Sequence, residues 1–217
     1  MTHDAAETDR FDPTGLDPED LFDQPAVLGQ LAAAARRRAF GDHVWIRPVL
    51  AQPAPMPPTG AVRLRTDGAE TETLVALASW PEPSALVPGD RLVLQIAATP
   101  EDRARWVAWL RRLRALATVP SGLSIAPCSP TPGGTHRLWC IATARLLLPD
   151  AIHVEARHDL LGIRLAQLAV GFGADTLGGP IAPDRLLPLA GVTRPDETTA
   201  AGLATLVRHL GLRPQAA

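Results

Sequence analysis

His153, Glu155 and His158 form an H-x-E-x-x-H cluster, and two imidazoles with a carboxylate make a donor set suited to a transition metal. On a strand, His153 and Glu155 would point the same way, and His158 would return from the loop that follows. The spacing matches no zinc signature, so the plainer expectation is no metal: Glu155 and His158 at the surface, His153 beside a pocket. Gly178 and Gly179 lie at the far end of the same stretch. Backbone amides bared there would suit a phosphate or carboxylate, although an ordinary tight turn is the simpler use. His153, Glu155, His158, Gly178 and Gly179 are therefore the ligand-binding candidates, and no catalytic residue can be named. Cys128 ends a strand with no histidine placed to activate it, so it reads as a buried structural thiol, and Cys140 as a second. Asp175 reads as a local cap or ion-pair partner. No Ser/His/Asp order, phosphate-binding loop or dinucleotide fingerprint is present.

The elements that must position these residues follow from the pattern between His153 and Ile181. A short strand and a polar turn lead to a helix with Asp159 as N-cap and Leu161, Leu165, Leu168, Ala169 and Phe172 at three- and four-residue steps. Gly171 and Gly173 are expected to stop that helix. Ala174 to Leu177 is the next strand, closed by a turn at Gly178-Gly179-Pro180.

The rest of the chain repeats this theme. Thr99-Pro100-Glu101-Asp102 is a strong helix start after the apolar run Arg91–Ala98, and the helix turns Ala104, Val107, Leu110, Leu113 and Leu116 inward, with Trp106 and Trp109 as packing anchors. Leu123–Cys128 is a strand, Thr135–Leu148 a helix, and Pro183–Leu189 and Asp196–Leu210 are two more helices. Upstream, Pro25–Phe40 is a helix with Val27, Leu28, Leu31, Ala34, Ala35 and Phe40 toward a core and Arg36–Arg38 as its solvated, cation-favouring end. Strands follow at His43–Leu50, Ala61–Thr66 and Leu74–Trp80, with proline-rich stretches between them. About six strands alternating with helices predict an α/β protein with a parallel sheet, short of the eight strands that close a TIM barrel. The expected fold is a truncated or partial TIM-like (β/α) barrel. Residues 1–15 read as a disordered lead-in. One domain, 16–217, divides into N-terminal helices (16–43), a remnant first half with Pro-rich loops (44–90) and a half-barrel (91–217).

The composition narrows the partners. The chain has 217 residues, a net charge of −2 and a pI near 6.3, so nothing points to nucleic acid or an acidic membrane surface. No signal pattern or membrane-length apolar run is read, and a cytoplasmic location is expected.

LGIRLAQLAVGFGADTLGG resembles the C-terminal barrel segment of the radical-SAM enzymes of the futalosine pathway of menaquinone synthesis and of the deazaflavin (FO) synthases. Collinear likenesses extend this: LDPEDLFDQPAVLGQLAAAARRRAFGDHVWI to the N-terminal helix pair, ATPEDR to a helix start, SIAPCSP to a strand and loop, IATARLLLPDAIHVEA to the segment carrying the family's histidine at His153, and AGVTRPDETTAAGLATLVRHLG to the closing helix. The resemblance implies a barrel, a [4Fe–4S] cluster and S-adenosylmethionine. The cluster loop C-x3-C-x2-C would fall at Pro48–Pro58, which has no cysteine, and Ile96 and Ala98 stand where the family carries acid–base groups. The expected protein is therefore a cluster-less relative, needing neither the cluster nor S-adenosylmethionine, that acts as a non-catalytic partner or ligand-binding protein. Open sheet edges would call for a homodimer or a complex with an intact radical-SAM paralogue. The alternative is an enzyme with a remodelled pocket around His153, Glu155 and His158, metal-assisted.

Overall fold

Period-two alternation in the strands gives the sheet one apolar face and a second that holds polar residues beside a smaller apolar cluster of Val62, Leu64, Val93, Ala126 and Cys128. The computed structural model describes residues 17–49, 60–67, 71–180 and 198–216. The expected lead-in, most of the Pro48–Pro58 stretch and the expected Pro183–Leu189 helix lie outside them. The helices are α1 (Pro25–Phe40), α2 (Pro100–Arg114), α3 (Gly134–Leu147), α4 (His158–Leu161), α5 (Ile163–Val170) and α6 (Ala200–His209). The strands are β1 (His43–Val49), β2 (Ala61–Asp67), β3 (Thr71–Leu77), β4 (Arg91–Gln95), β5 (Ser124–Cys128), β6 (His153–Arg157), β7 (Thr176–Pro180) and β8 (Arg213–Ala216).

One eight-stranded sheet runs in the order β3-β2-β4-β5-β6-β7-β1-β8. From β4 to β8 every neighbouring pair is parallel. Only β2 runs against its neighbours, forming an antiparallel hairpin with β3 and pairing antiparallel with β4. The architecture is thus α/β with a mostly parallel sheet, and the sheet is open. Seven of its eight strands fall on stretches that read as strands, against the round count of about six, and a single strand has no counterpart there. That strand is β8, whose Arg-Pro-Gln-Ala sequence carries no strand pattern and pairs at the edge of β1, where a proline is tolerated.

The apolar face packs under the helices. Val44, Ile46, Leu92, Leu94, Ile125, Val154, Ala156 and Leu177 join Leu28, Trp106, Leu110, Leu113, Trp139, Val170 and Leu203 in the main core. Trp106 and Trp109 anchor it, stacked at 5.8 Å with Trp80 edge-on to both. Burying an indole leaves its N–H in need of an acceptor. Each finds a backbone carbonyl: Trp106 that of Cys140, Trp109 that of Pro81, Trp139 that of Pro18 and Trp80 that of Gln95. Thr99 caps α2 as expected, its hydroxyl accepting from the Asp102 N–H.

Several details depart from expectation. Val27 (42% exposed), Ala34 and Ala104 face solvent, because each helix has a narrower buried stripe than its alanine-rich sequence suggests. Arg36 is buried, not solvated: its guanidinium donates to the carbonyls of Gly41 and His43 and so satisfies the α1-to-β1 turn. The expected helix after β6 is two helices. Gly162, at φ 80°, breaks it into α4 and α5, and Leu168 at 52% exposure falls off the buried stripe. Gly171 keeps a right-handed φ of −69° and Gly173 alone turns left-handed. The last helix begins at Ala200 under a Thr199 cap, not at Asp196.

Candidate functional site

Strand β6 carries two of the five candidates, His153 and Glu155, and His158 follows it as the first residue of α4; the three go to three different partners. His153 is its first residue, at the N-terminal end of the parallel strands. Its Nδ1–H donates to Oδ1 of Asp175 at 2.6 Å, since a carboxylate oxygen accepts. The ring stacks on Phe40 and meets Trp45 edge-on. Asp175, fully buried, also accepts from the Arg145 guanidinium, the Val154 N–H and the Thr176 hydroxyl, each at 2.8 Å. Burial lowers the Arg145 pKa, and the Asp175 charge opposes that shift. Arg145 further donates to the Ile152 carbonyl and lies over the Phe40 ring. Three structural pieces, α3, β6 and the start of β7, are tied at one carboxylate, and Phe40 of α1 packs on two of its donors, His153 and Arg145.

Glu155 lies one pleat further along the same face. It is 2% exposed, with Oε1 2.8 Å from the Arg91 guanidinium and Oε2 3.4 Å from the Ser124 hydroxyl. Parallel register sets this up: Arg91 is level with Ser124, Ser124 with His153, and Glu155 with Thr176. The expectation of a surface Glu155 is wrong, because a neighbouring strand supplies a cation the linear pattern could not place. Gly178 makes room for this pair: a Cβ there would fall inside the Glu155 carboxylate.

His158, expected at the surface, is also buried (7% exposed). It lies beyond the C-terminal end of β6, with Nε2 unpartnered and 2.6 Å from where a Gly179 Cβ would stand. Burial lowers its pKa, against the raising effect of the Asp159 charge and a hydrogen bond to Pro180. Asp159 does not cap the helix. It sits in the first turn of α4 and takes a two-point ion pair from Arg157 at 3.1 and 2.6 Å. Gly178 and Gly179 are not a turn either. They lie within β7, paired with Arg47 and Pro48 of β1. Their missing side chains accommodate Glu155 and His158.

The structure therefore brings Glu155 together with Gly178, and His158 with Gly179, and separates His153 from both. Among the described residues no group of three or more His, Cys, Asp or Glu side chains converges as metal ligands would. Both cysteines are free and buried. Burial pushes the Cys128 thiol up to about 12. Cys140 is raised by the same cause, and the nearby His136 does not activate it. His136 Nε2, 3.5 Å from the sulfur, also lies 3.2 Å from the Ile96 carbonyl. A carbonyl only accepts, so that nitrogen carries its hydrogen and offers the thiol no lone pair.

An iron–sulfur cluster does not fit this chain. Three adjacent thiolates are needed, and the two cysteines present are buried in thiol form on separate elements, β5 and α3. Arg91, Ser124 and Arg145, which determine what the candidate residues do, escaped the sequence reading. The one signal was that each is a polar residue set in an apolar run.

Among the described residues no helix is long and apolar enough to cross a membrane. The chain matches no protein-family model and no curated protein sequence.

Proposed function

We propose that this chain is a cluster-less, truncated-barrel relative of the futalosine-pathway radical-SAM enzymes, working in the cytoplasm as a non-catalytic partner or ligand-holding protein. One observation carries the non-catalytic half. On the polar sheet face Arg91 is matched with Glu155, and Arg157 with Asp159. An acid or base must be open to a substrate proton, and a carboxylate locked to a buried guanidinium and a serine is not. The barrel half draws support from the strand order. Strands β4 to β7 are neighbours in chain order and β1 returns beside β7, the adjacency of a (β/α) barrel with strands removed.

Anaerobic reconstitution with ferrous iron and sulfide tests this. The expected product is colourless protein that leaves S-adenosylmethionine intact under reduction; a brown, cluster-loaded protein that cleaves it would end the proposal. A second reading, an enzyme built on His153, rests on the Asp175 contact, since a carboxylate-held imidazole is what proton transfer requires. It no longer includes Glu155 and His158 in one pocket. Stoichiometric metal that disappears in His153→Ala would favour it.

A further inference from the structure

Among the described residues the sheet has two open edges, and they are built differently. Strand β8 presents four residues, and Pro214 among them has no N–H to offer. Strand β3 presents seven, Thr-Glu-Thr-Leu-Val-Ala-Leu, with no proline, lysine or arginine. Natural edges are guarded by charged residues, proline or brevity, and of these β3 has a single charge, Glu72. Val75 and Ala76 on it are exposed.

The hairpin is also under-supported. Strand β4 pairs with β2 only from Ala61 to Leu64, so Arg65–Asp67 and Thr71–Thr73 continue as a two-stranded ribbon with no third strand among the described residues. Such a ribbon is marginal in water until a further strand joins it.

We infer that β3 is a dimerisation edge, pairing antiparallel with β3 of a second copy of this chain. A two-fold axis at Leu74 sets Leu74 against Leu74, Thr73 against Val75, Glu72 against Ala76 and Thr71 against Leu77. The strand's one charge, Glu72, meets an alanine, so no like charges oppose each other. The contact is isologous and closes at two copies. It joins β2-β3 of each chain into a four-stranded antiparallel ribbon. This deepens the partner half of the proposed function by naming the partner and the surface, and the pairing itself needs no kinship to any family.

Light scattering on the eluting full chain tests it, with amide hydrogen exchange at two concentrations. The expected mass is twice the 23.0 kDa of the chain, with residues 71–77 exchanging more slowly as concentration rises. Val75→Lys and, independently, Ala76→Pro should each weaken the dimer at least tenfold while far-UV circular dichroism stays unchanged; either one folding normally is sufficient. A monomer at every concentration, protection confined to another surface, a dimer that survives in a folded variant, or association only with an intact radical-SAM enzyme would each overturn the inference. None of these results bears on whether the chain can hold a cluster, which the reconstitution decides.

Discussion

Along β6 the residues alternate between two environments. Val154 and Ala156 face the helices and lie in the main apolar core, while His153, Glu155 and Arg157 face the other way and are met by Asp175, Arg91 and Asp159. Both faces are buried apart from His153, and they reach burial by opposite means. The apolar face gains from each Å² removed from water and needs only shape. The polar face gains little from its ion pairs, because desolvating two charges costs about as much as their attraction returns. The apolar face therefore stabilises the fold, and the polar face dictates which strands may be neighbours. An ion pair is forgiving of nothing: removing one partner leaves a charge with no water and no counter-ion.

That asymmetry predicts unequal costs, the largest at Asp175. Asp175→Ala strands Arg145 and leaves the Val154 N–H, the Thr176 hydroxyl and His153 Nδ1 without their acceptor. Breaking a buried pair costs about 3–5 kcal/mol and an orphaned N–H about 1–3 more, so the expected loss is about 5 kcal/mol or above. Denaturant titration of the folded protein should show it as a collapse of the midpoint, comparable to the whole stability of a marginal domain. A loss below about 1 kcal/mol would mean the carboxylate is not the hub its contacts suggest.

Glu155→Ala comes next, at about 3–4 kcal/mol, because it takes the buried carboxylate partner away from the Arg91 guanidinium. The sharper form is the pair of changes together. Arg91→Met with Glu155→Leu removes both charges, and well-packed apolar replacements of a buried ion pair are commonly neutral or better, so stability should return to within about 1–2 kcal/mol of the parent. Were the double variant as unstable as the single one, the two sheet faces would not differ in the way described, and the volume beside Gly178 would matter more than the charge.

These pairs also mark what the sequence could and could not disclose. Local signals sufficed for α2, announced by Thr99-Pro100-Glu101-Asp102, for β5 and for α3, because caps, prolines and apolar runs act within a few residues. The alternation on β6 was legible too, and it put His153 and Glu155 on one side. What lay beyond reach was register. Arg91 meets Glu155 across 64 positions because β4, β5 and β6 start at matched levels, and no local pattern encodes that. The glycine pair misled for a related reason: Gly178-Gly179 looks like a turn, but glycine also serves where another side chain must pass close to a strand. The hairpin β2–β3 read as two strands without revealing that β2 runs antiparallel, since the short connection, not the strands, sets direction.

The smallest expected effect is on pH dependence, and it separates the two buried histidines from the charged pairs around them. Burial lowers the pKa of His136, between Trp139 and the Ile96 carbonyl, and of His158, against Gly179. In the unfolded chain both titrate near 6.5. As pH falls through that value the unfolded state takes up protons that the folded state refuses, so the unfolded chain binds more protons and stability drops with acidification. The loss begins near pH 6.5 and continues until the pH reaches the lowered folded pKa values; above it, neither histidine contributes a slope. Denaturation midpoints measured between about pH 7.5 and 5 should decline through this window. His158→Gln should remove part of the slope and leave the part due to His136, whereas a midpoint that rises on acidification would show that these rings are held as imidazolium instead.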